Sequence, residues 1–181
     1  YVRDNNCSVI FECIEPVKDP HIIEYQEPQV VLLEIIPNEL EFKHSSYNEL
    51  KALGAKLGVK VKELACTLQS LDEFDSWLKE IMRPDYLYNE SYIEGFVIED
   101  AQKFMTKLKL HYYKKWKTLR QVADATLKHG AIKAKWKLSD EEAKAFYNWL
   151  REEVYPLRKN DGTYTFATDI ISLRKMFLNK E

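Results

Sequence analysis

YIEGFVIEDAQKFMTKLKLHYY, residues Tyr92–Tyr113, contains two strand-like runs around one polar turn. The runs are Tyr92–Ile98 and Phe104–Leu110, and their aromatic and β-branched residues are typical of strands. A short polar turn between two such runs predicts a β-hairpin, with its turn centred near Asp100 and Ala101.

The predicted pairing brings charged side chains together on one face of the hairpin. It places Glu94 opposite Lys107 and Tyr92 opposite Lys109, and alternate residues of a strand share a face. Two ammonium groups and a carboxylate on one face can neutralise phosphate charge and bind a sugar or a metal ion. The alternative is a surface hairpin with a cross-strand ion pair worth about 0.2–1 kcal/mol.

The periodicity of the remaining sequence predicts an α+β protein with a helical C-terminal region. Further strands are predicted at Ser8–Ile14, Val30–Ile36 and Val59–Leu64, and helices at Ser46–Leu57, Ser70–Met82, Tyr113–His129 (as one helix or two), Ser139–Tyr155 and Thr168–Leu178. Gly58 is predicted to end its helix, while Ser139 and Thr168 are predicted N-caps. The pattern changes from mixed to helical near Lys117, which favours a domain boundary there.

The charge of the chain is unevenly distributed, although the formal net charge is only −2. Residues 102–137 hold eleven lysines and arginines and one acid, Asp124. Such a segment suits a phosphate-rich partner, and we predict RNA contacts along the helix that follows the hairpin. The predicted contacts are Lys114, Lys115, Lys117 and Arg120. The alternative is a solvated helix face without a partner.

Composition limits the class of protein. The longest apolar run, Gln29–Pro37, is too short to cross a membrane and is interrupted by Glu34. Three cysteines and four scattered histidines show no zinc-ligand spacing and no disulfide framework. A cytoplasmic, intracellular protein is therefore predicted.

Three segments, in order, resemble motifs of the covalent nucleotidyltransferases, and specifically of the RNA ligase family typified by the bacteriophage T4 tRNA-repair ligase. Val9–Pro16, continuing to Leu33, resembles motif III of that family. Glu94–Val97 resembles motif IV, and Lys107–Lys109 resembles motif V. The resemblance covers roughly residues 5–118. It implies a partial nucleotidyltransferase (ATP-grasp-like ligase) core with an antiparallel sheet in residues 1–117, followed by an all-helical domain in residues 118–181.

The resemblance also implies a chemistry. ATP is the cofactor, with Mg²⁺ or Mn²⁺, and a lysine takes up AMP and passes it to RNA. RNA with a 5′-phosphate end and RNA with a 3′-hydroxyl end are then joined.

Roles for individual residues follow from the same resemblance. Glu12 would contact the ribose of ATP, and Leu33 and Val97 would sandwich its adenine. Lys107 and Lys109 would hold the phosphates, and Glu94 would assist the metal ion.

The sequence departs from the family at the nucleophile. The family's Lys-x-Asp-Gly motif lies upstream of motif III, where only Tyr1–Cys7 stands here. The one such sequence in the chain, Lys159–Gly162, lies between predicted helices and is typical of a turn. We therefore expect a fragment that lacks the nucleophilic lysine and is inactive alone. Two alternatives stay open: a non-catalytic RNA- or nucleotide-binding module, and a DNA ligase or capping enzyme, against which the helical region argues because an OB-fold usually follows there.

Overall fold

The structure is a computed structural model that describes residues 1–17, 21–41, 43–132, 138 and 140–180. Two compact units divide the described residues. Unit 1 comprises Tyr1–Asp19, Tyr25–Ser76 and Glu99–Thr106, and unit 2 comprises Pro20–Glu24, Trp77–Ile98 and Lys107–Glu181, in each case as far as these ranges are described. None of the helices in the described ranges combines the length and apolar character that crossing a bilayer requires.

Unit 1 is built on a small sheet with one main helix. Its elements are α1 (Val2–Asn5), β1 (Cys7–Ile14), β2 (Gln29–Pro37), α2 (Tyr47–Leu57), β3 (Lys60–Val61) and the first part of α3 (Leu71–Ile81). The sheet order is β1-β2-β3, with β1 antiparallel and β3 parallel to β2. Helix α2 packs against β2 and β3, and the buried core consists of Cys7, Leu32, Ile35, Leu50 and Leu53.

Local sequence signals explain the ends of α2. Ser46 accepts a hydrogen bond from the Glu49 backbone N–H at 3.3 Å, and the Glu49 carboxylate accepts one from the Ser46 N–H at 2.7 Å. This is the capping-box pattern that starts a helix. Gly58 adopts a left-handed conformation with φ 68°, so α2 ends where the sequence predicts. The strand predicted at Val59–Leu64 is shorter than expected, because only β3 pairs with the sheet.

Unit 2 is mainly helical. Its elements are the end of α3, most of β4 (Gly95–Glu99) and β5 (Met105–Lys109), α4 (His111–His129), α5 (Glu141–Trp149), a π-helical turn (Leu150–Val154), a 3-10 turn (Tyr155–Leu157) and α6 (Ile170–Leu178). The described residues after β5 contain no strand. The predicted α+β class with a helical C-terminal region is confirmed.

A continuous apolar core holds unit 2 together. Trp116 and Leu119 of α4, Phe146 of α5 and Leu173 of α6 are all at most 2% exposed. Trp116 and Phe146 meet edge to face, with ring centroids 5.5 Å apart. Each residue lies on the inward stripe of an amphipathic helix, so burial of these stripes orders the bundle.

Helix α4 crosses the predicted domain boundary without a break. It runs from His111 to His129, so it is one helix and the division at Lys117 falls inside it. The division into residues 1–117 and 118–181 stays a prediction. Helix α4 continues there because Trp116 and Leu119 anchor it to one core on both sides of that point.

Helices α5 and α6 begin at other residues than the predicted N-caps. Helix α5 begins one residue later than expected, with Asp140 as its cap, and the predicted cap Ser139 lies outside the described residues. Helix α6 is capped by Asp169 and not by Thr168, because the Asp169 carboxylate accepts the backbone N–H groups of Ile171 and Ser172.

The cap of α6 should make stability depend on pH. Burial raises the pKa of the Asp169 carboxyl, but hydrogen bonds from Ser172 and Ile171 outweigh burial and leave this pKa below its usual value. A lowered folded-state pKa stabilises the protein above the unfolded pKa of about 3.9, and this contribution is lost as the pH falls through the folded-state value. The wild type should therefore lose stability more steeply below about pH 4 than Asp169→Asn, whose amide does not ionise.

Urea unfolding at neutral pH and at about pH 3.5 measures this difference. Asp75→Asn is the matched control, because Asp75 is exposed on α3 and its carboxylate forms no hydrogen bond or ion pair with any described residue. Equal pH dependence of the wild type and Asp169→Asn would contradict the prediction.

Candidate phosphate-binding site

The hairpin β4–β5 exists as predicted, but its register differs. The Leu110 N–H donates to the Glu94 carbonyl at 2.9 Å, and the Asp100 N–H donates to the Phe104 carbonyl at 3.0 Å. Glu94 is therefore opposite Leu110, not Lys107, and Tyr92 is opposite Tyr112, not Lys109, so both predicted pairings are wrong. In this register Lys107 and Lys109 are opposite Val97 and Gly95, so the predicted common strand face of Glu94 and the two lysines is wrong as well.

The turn accounts for the shift in register. The Asp100 carboxylate accepts the backbone N–H groups of Gln102 at 2.8 Å and Phe104 at 2.9 Å. Lys103 adopts a left-handed conformation with φ 69°. These contacts hold a turn over residues 101–103, which is longer and lies further along the chain than the predicted turn at Asp100 and Ala101.

Gly95 permits a very close approach of the two strands. Its φ is 152°, and a Cβ atom built there would lie 1.9 Å from the Leu108 carbonyl oxygen. Only glycine combines this conformation with so short an approach. The backbone beside Glu94 therefore lies directly against the strand that carries the lysines.

Glu94 and Lys109 meet in spite of the changed register. The Lys109 ammonium group donates to the Glu94 carboxylate, and their side chains are 37% and 38% exposed. The ammonium group also lies 4.8 Å from the centroid of the Tyr113 ring. The pair is thus held by an ion contact and a cation–π contact while it remains accessible to solvent.

Lys107 lies two residues before Lys109 on β5 and therefore points to the same face of the strand. It is exposed and forms no ion pair with any described residue. Strand β5 thus offers one ammonium group that is held by a carboxylate and one that is not held. Together they carry a net positive charge at a partly exposed surface, which suits an anion.

Glu12 and Leu33, the residues expected at the ribose and adenine, lie on the sheet of unit 1. Glu12 is exposed on β1 opposite Val31 of β2. Leu33 is half-buried, and the register of the two strands skips it, which places it at a β-bulge. Bulges occur often beside binding sites because they redirect side chains. Val97, the other residue expected at the adenine, is exposed on β4 of the hairpin.

The predicted RNA-binding cations differ in their surroundings. Lys115 donates to the Glu142 carboxylate and lies 3.3 Å from the Asp140 carboxylate, so acids from the start of α5 neutralise it. Lys117 lies over the Tyr113 ring, 5.6 Å from its centroid. Lys114 is exposed and Arg120 is half-buried. The basic residues Lys133, Lys135 and Lys137 lie outside the described residues.

The Lys-x-Asp-Gly sequence that begins at Lys159 forms an exposed turn. The Lys159 N–H donates to the Thr163 carbonyl at 2.9 Å, and the Gly162 N–H donates to the Lys159 carbonyl at 2.9 Å. Gly162 has φ 85°, and the Asp161 carboxylate accepts the Thr163 N–H. These local hydrogen bonds explain why this segment forms a turn.

The site offers few protein ligands for a divalent metal ion. No group of three or more His, Cys, Asp or Glu side chains in the described ranges could hold a metal ion. Mg²⁺ usually keeps several water ligands and binds through one or two carboxylates together with substrate phosphates. Glu94 could supply one such carboxylate after release of Lys109.

Two contacts of the site were not foreseen from the sequence. Tyr113 lies beneath Lys109 and Lys117, and Arg174 lies over the rings of Tyr112 and Trp116. The alternation of aromatic residues and lysines in residues 112–117 was a signal for the first contact. No sequence signal indicated the second, because Arg174 lies far along the chain.

The hairpin thus presents a partly exposed Lys–Glu pair and a neighbouring lysine on an α+β fold, an arrangement that suits an anionic ligand. Comparison with protein families gives a more specific result. The model of the RNA ligase family of the bacteriophage T4 RNA ligase 1 type matches residues 1–113. The chain therefore belongs to this family of RNA ligases. A search of curated proteins found no match.

The matched residues include the whole hairpin and the first turn of α4. Glu94, Lys107 and Lys109 all lie inside residues 1–113, and so do Glu12 and Leu33. The described part of the chain beyond Tyr113, with most of α4 and all of α5 and α6, lies outside the match.

Proposed function

We propose that the chain is the phosphate-handling part of an ATP-dependent RNA ligase for RNA repair. In this reaction a lysine Nζ attacks the α-phosphorus of ATP, a P–N bond forms, and pyrophosphate leaves. An oxygen of the RNA 5′-phosphate then takes over AMP and releases the lysine. Finally, the 3′-hydroxyl oxygen of a second RNA end attacks that 5′-phosphate, and AMP leaves.

The contact that supports this proposal best is the Lys109–Glu94 pair over Tyr113. Each step of the reaction spreads negative charge over the oxygens of a phosphate. The cation–π contact with Tyr113 orients Lys109 independently of Glu94, so its charge can stabilise these oxygens when Glu94 turns to a metal ion. Lys107, which has no ion-pair partner among the described residues, supplies a second charge on the same face.

The remaining roles belong to the same proposal. Glu12 contacts the ribose, and Leu33 and Val97 contact the adenine. Glu94 binds Mg²⁺ or Mn²⁺, which supplies positive charge at the reacting phosphate. The Lys-x-Asp-Gly sequence at Lys159 forms an exposed turn, so Lys159 is not the lysine proposed to take up AMP, and these residues by themselves are expected to form no adduct.

The RNA substrate carries a 5′-phosphate and a 3′-hydroxyl end, and we propose that it contacts α4. Lys114, Lys117 and Arg120 bind its phosphates, whereas Lys115 can do so only after it leaves Asp140 and Glu142. RNA binding through these contacts should weaken as the salt concentration rises. The enzyme works where ATP and RNA occur together, so we place it in the cytoplasm.

Labelling with α-labelled ATP and Mg²⁺ tests the proposal on the full-length gene product. We expect a covalent protein–AMP adduct, and we expect Lys107→Ala to slow its formation by about 100-fold or more, because one stabilising charge at the α-phosphate is lost. Lys103→Ala is the matched control, since Lys103 lies on the same hairpin but is paired with Glu99 at the turn.

Absence of the adduct would contradict the ligase proposal, as would an unchanged rate in Lys107→Ala. Absence of the adduct together with retained RNA binding would favour a non-catalytic RNA- or nucleotide-binding module. The helices that follow the hairpin, without a strand among the described residues, argue against a DNA ligase or capping enzyme.

A further inference from the structure

Two tyrosine rings form a face-to-face stack at the open end of the hairpin. The centroids of Tyr92 and Tyr112 are 3.6 Å apart, and their planes differ by 5°. The two residues continue the register that pairs Glu94 with Leu110, so the stack extends the hairpin beyond its last backbone hydrogen bond. The position of Tyr92 is therefore set by the strands and by the first turn of α4.

A buried cation supports the stack. The Arg174 guanidinium group lies 5.3 Å from the centroids of both Tyr112 and Trp116. Tyr92 covers one face of Tyr112, so the guanidinium group lies over the other face. Arg174 is 6% exposed, and its Nη1 donates to the Ile22 carbonyl at 3.0 Å. Within the described ranges Arg174 forms no salt bridge, so aromatic faces carry much of the stabilisation of its charge.

The second face of Tyr92 meets no other ring in the part of the chain that the structure describes. Tyr92 is 39% exposed, although its neighbour Tyr112 is half-buried. An exposed ring on an ordered support loses little conformational freedom when a ligand stacks on it. Tyr92 thus offers a preorganised aromatic surface.

The surroundings of Tyr92 indicate what stacks there. Glu94 follows Tyr92 by two residues, and its ion-pair partner Lys109 lies on the other strand of the hairpin. The Cα atoms of Tyr92 and Glu94 are at most about 7 Å apart. This is about the length of one nucleotide. Proteins that bind single-stranded nucleic acids combine cations for the backbone with aromatic rings for the bases. An aromatic side chain of a peptide would not use the neighbouring Lys109.

We propose that the exposed face of Tyr92 stacks on a nucleobase at the 5′-phosphate end of the bound RNA. The inference rests on the proposed function, because it assigns Lys107, Lys109 and Glu94 to the phosphate of that nucleotide. Tyr92 acts by stacking alone and takes no part in bond making.

Binding of a short 5′-phosphorylated single-stranded RNA to the full-length gene product tests this assignment. Tyr92→Leu should weaken binding by about tenfold, as expected for loss of one base–ring stack, whereas Tyr92→Phe should bind like the wild type. An RNA that is abasic in its 5′-terminal nucleotide should bind equally to the wild type and Tyr92→Leu. Phe104→Leu is the matched control, because Phe104 is an exposed aromatic residue of the same hairpin at its turn.

The results separate the possible outcomes. Equal weakening of intact and abasic RNA by Tyr92→Leu, or no weakening of either, would overturn the stacking assignment. A raised KM for ATP in Tyr92→Leu without weaker RNA binding would assign the ring to the adenine of ATP and also overturn it. If the protein–AMP adduct still forms in either case, the proposed function stands while the stacking assignment fails.

A second measurement uses the wild-type protein and does not depend on how the variants fold. RNA with 5-iodouridine as its 5′-terminal nucleotide should cross-link to Tyr92 on irradiation, because this photoreaction requires ring contact. Mass spectrometry of the digested product locates the cross-link. Cross-links that map only to other residues would overturn the proposal.

Discussion

Gly95→Ala is expected to lower the free energy of unfolding by about 3 kcal/mol or more. The alanine Cβ would lie 1.9 Å from the Leu108 carbonyl oxygen and 2.9 Å from the Lys109 Cα, and both are backbone atoms. Neither can move unless the hairpin opens. The substitution also places a side chain at φ 152°, a conformation that residues other than glycine rarely adopt.

Urea unfolding of Gly95→Ala measures this cost, and Gly58→Ala provides the comparison. Gly58 also has a positive φ of 68°, but a Cβ atom there meets nothing within 4 Å. Its replacement should cost only about 1 kcal/mol, which is the cost of the left-handed conformation. Similar losses for the two variants would show that the close approach of β4 and β5 is not what Gly95 permits.

Lys109→Met should reduce formation of the protein–AMP adduct by about 100- to 1,000-fold in the full-length gene product. Methionine preserves the length and apolar contact of the side chain over Tyr113 but removes its charge. It also leaves the Glu94 carboxylate without its ammonium partner, so negative charge is added beside the phosphates. Both changes act against the charge that develops in the reaction.

Lys103→Met is the control for this variant, because it breaks another Lys–Glu pair of the same hairpin. The Glu99 carboxylate holds Lys103 and raises the pKa of its ammonium group, but this pair is at the turn. Lys103→Met should retain nearly the full rate of adduct formation. An equal loss in both variants would mean that they act through the stability of the hairpin and not through the phosphate site.

The alternation of apolar residues predicts the strands of the hairpin but not their register. Alternating apolar residues indicate the two strands correctly, but they do not fix which residues face each other. The Asp100 carboxylate decides this by binding two backbone N–H groups of the turn. Glu94 and Lys109 form an ion pair in spite of the changed register, because both long side chains lie at the same open end of the hairpin.

Helix ends illustrate the same limit on a smaller scale. Gly58 ends α2 as predicted, in a left-handed conformation that suits glycine. At α6, Thr168 and Asp169 are adjacent and both are suitable caps. The choice of Asp169 depends on where the apolar face of α6 meets the core, since Ile170 and Leu173 must both be buried.

The order of residues in this chain was enough to establish its α+β class, its helical C-terminal region and its membership of the RNA ligase family, because each depends on periodic or contiguous patterns. Packing of the folded chain decided the pairing of Lys115 with acids of α5 and the support of the Tyr92–Tyr112 stack by Arg174. These contacts join residues that are distant in the sequence, such as Arg174 and Ile22. No local pattern encodes them, since they arise only when apolar helix faces are buried together and bring those side chains within reach.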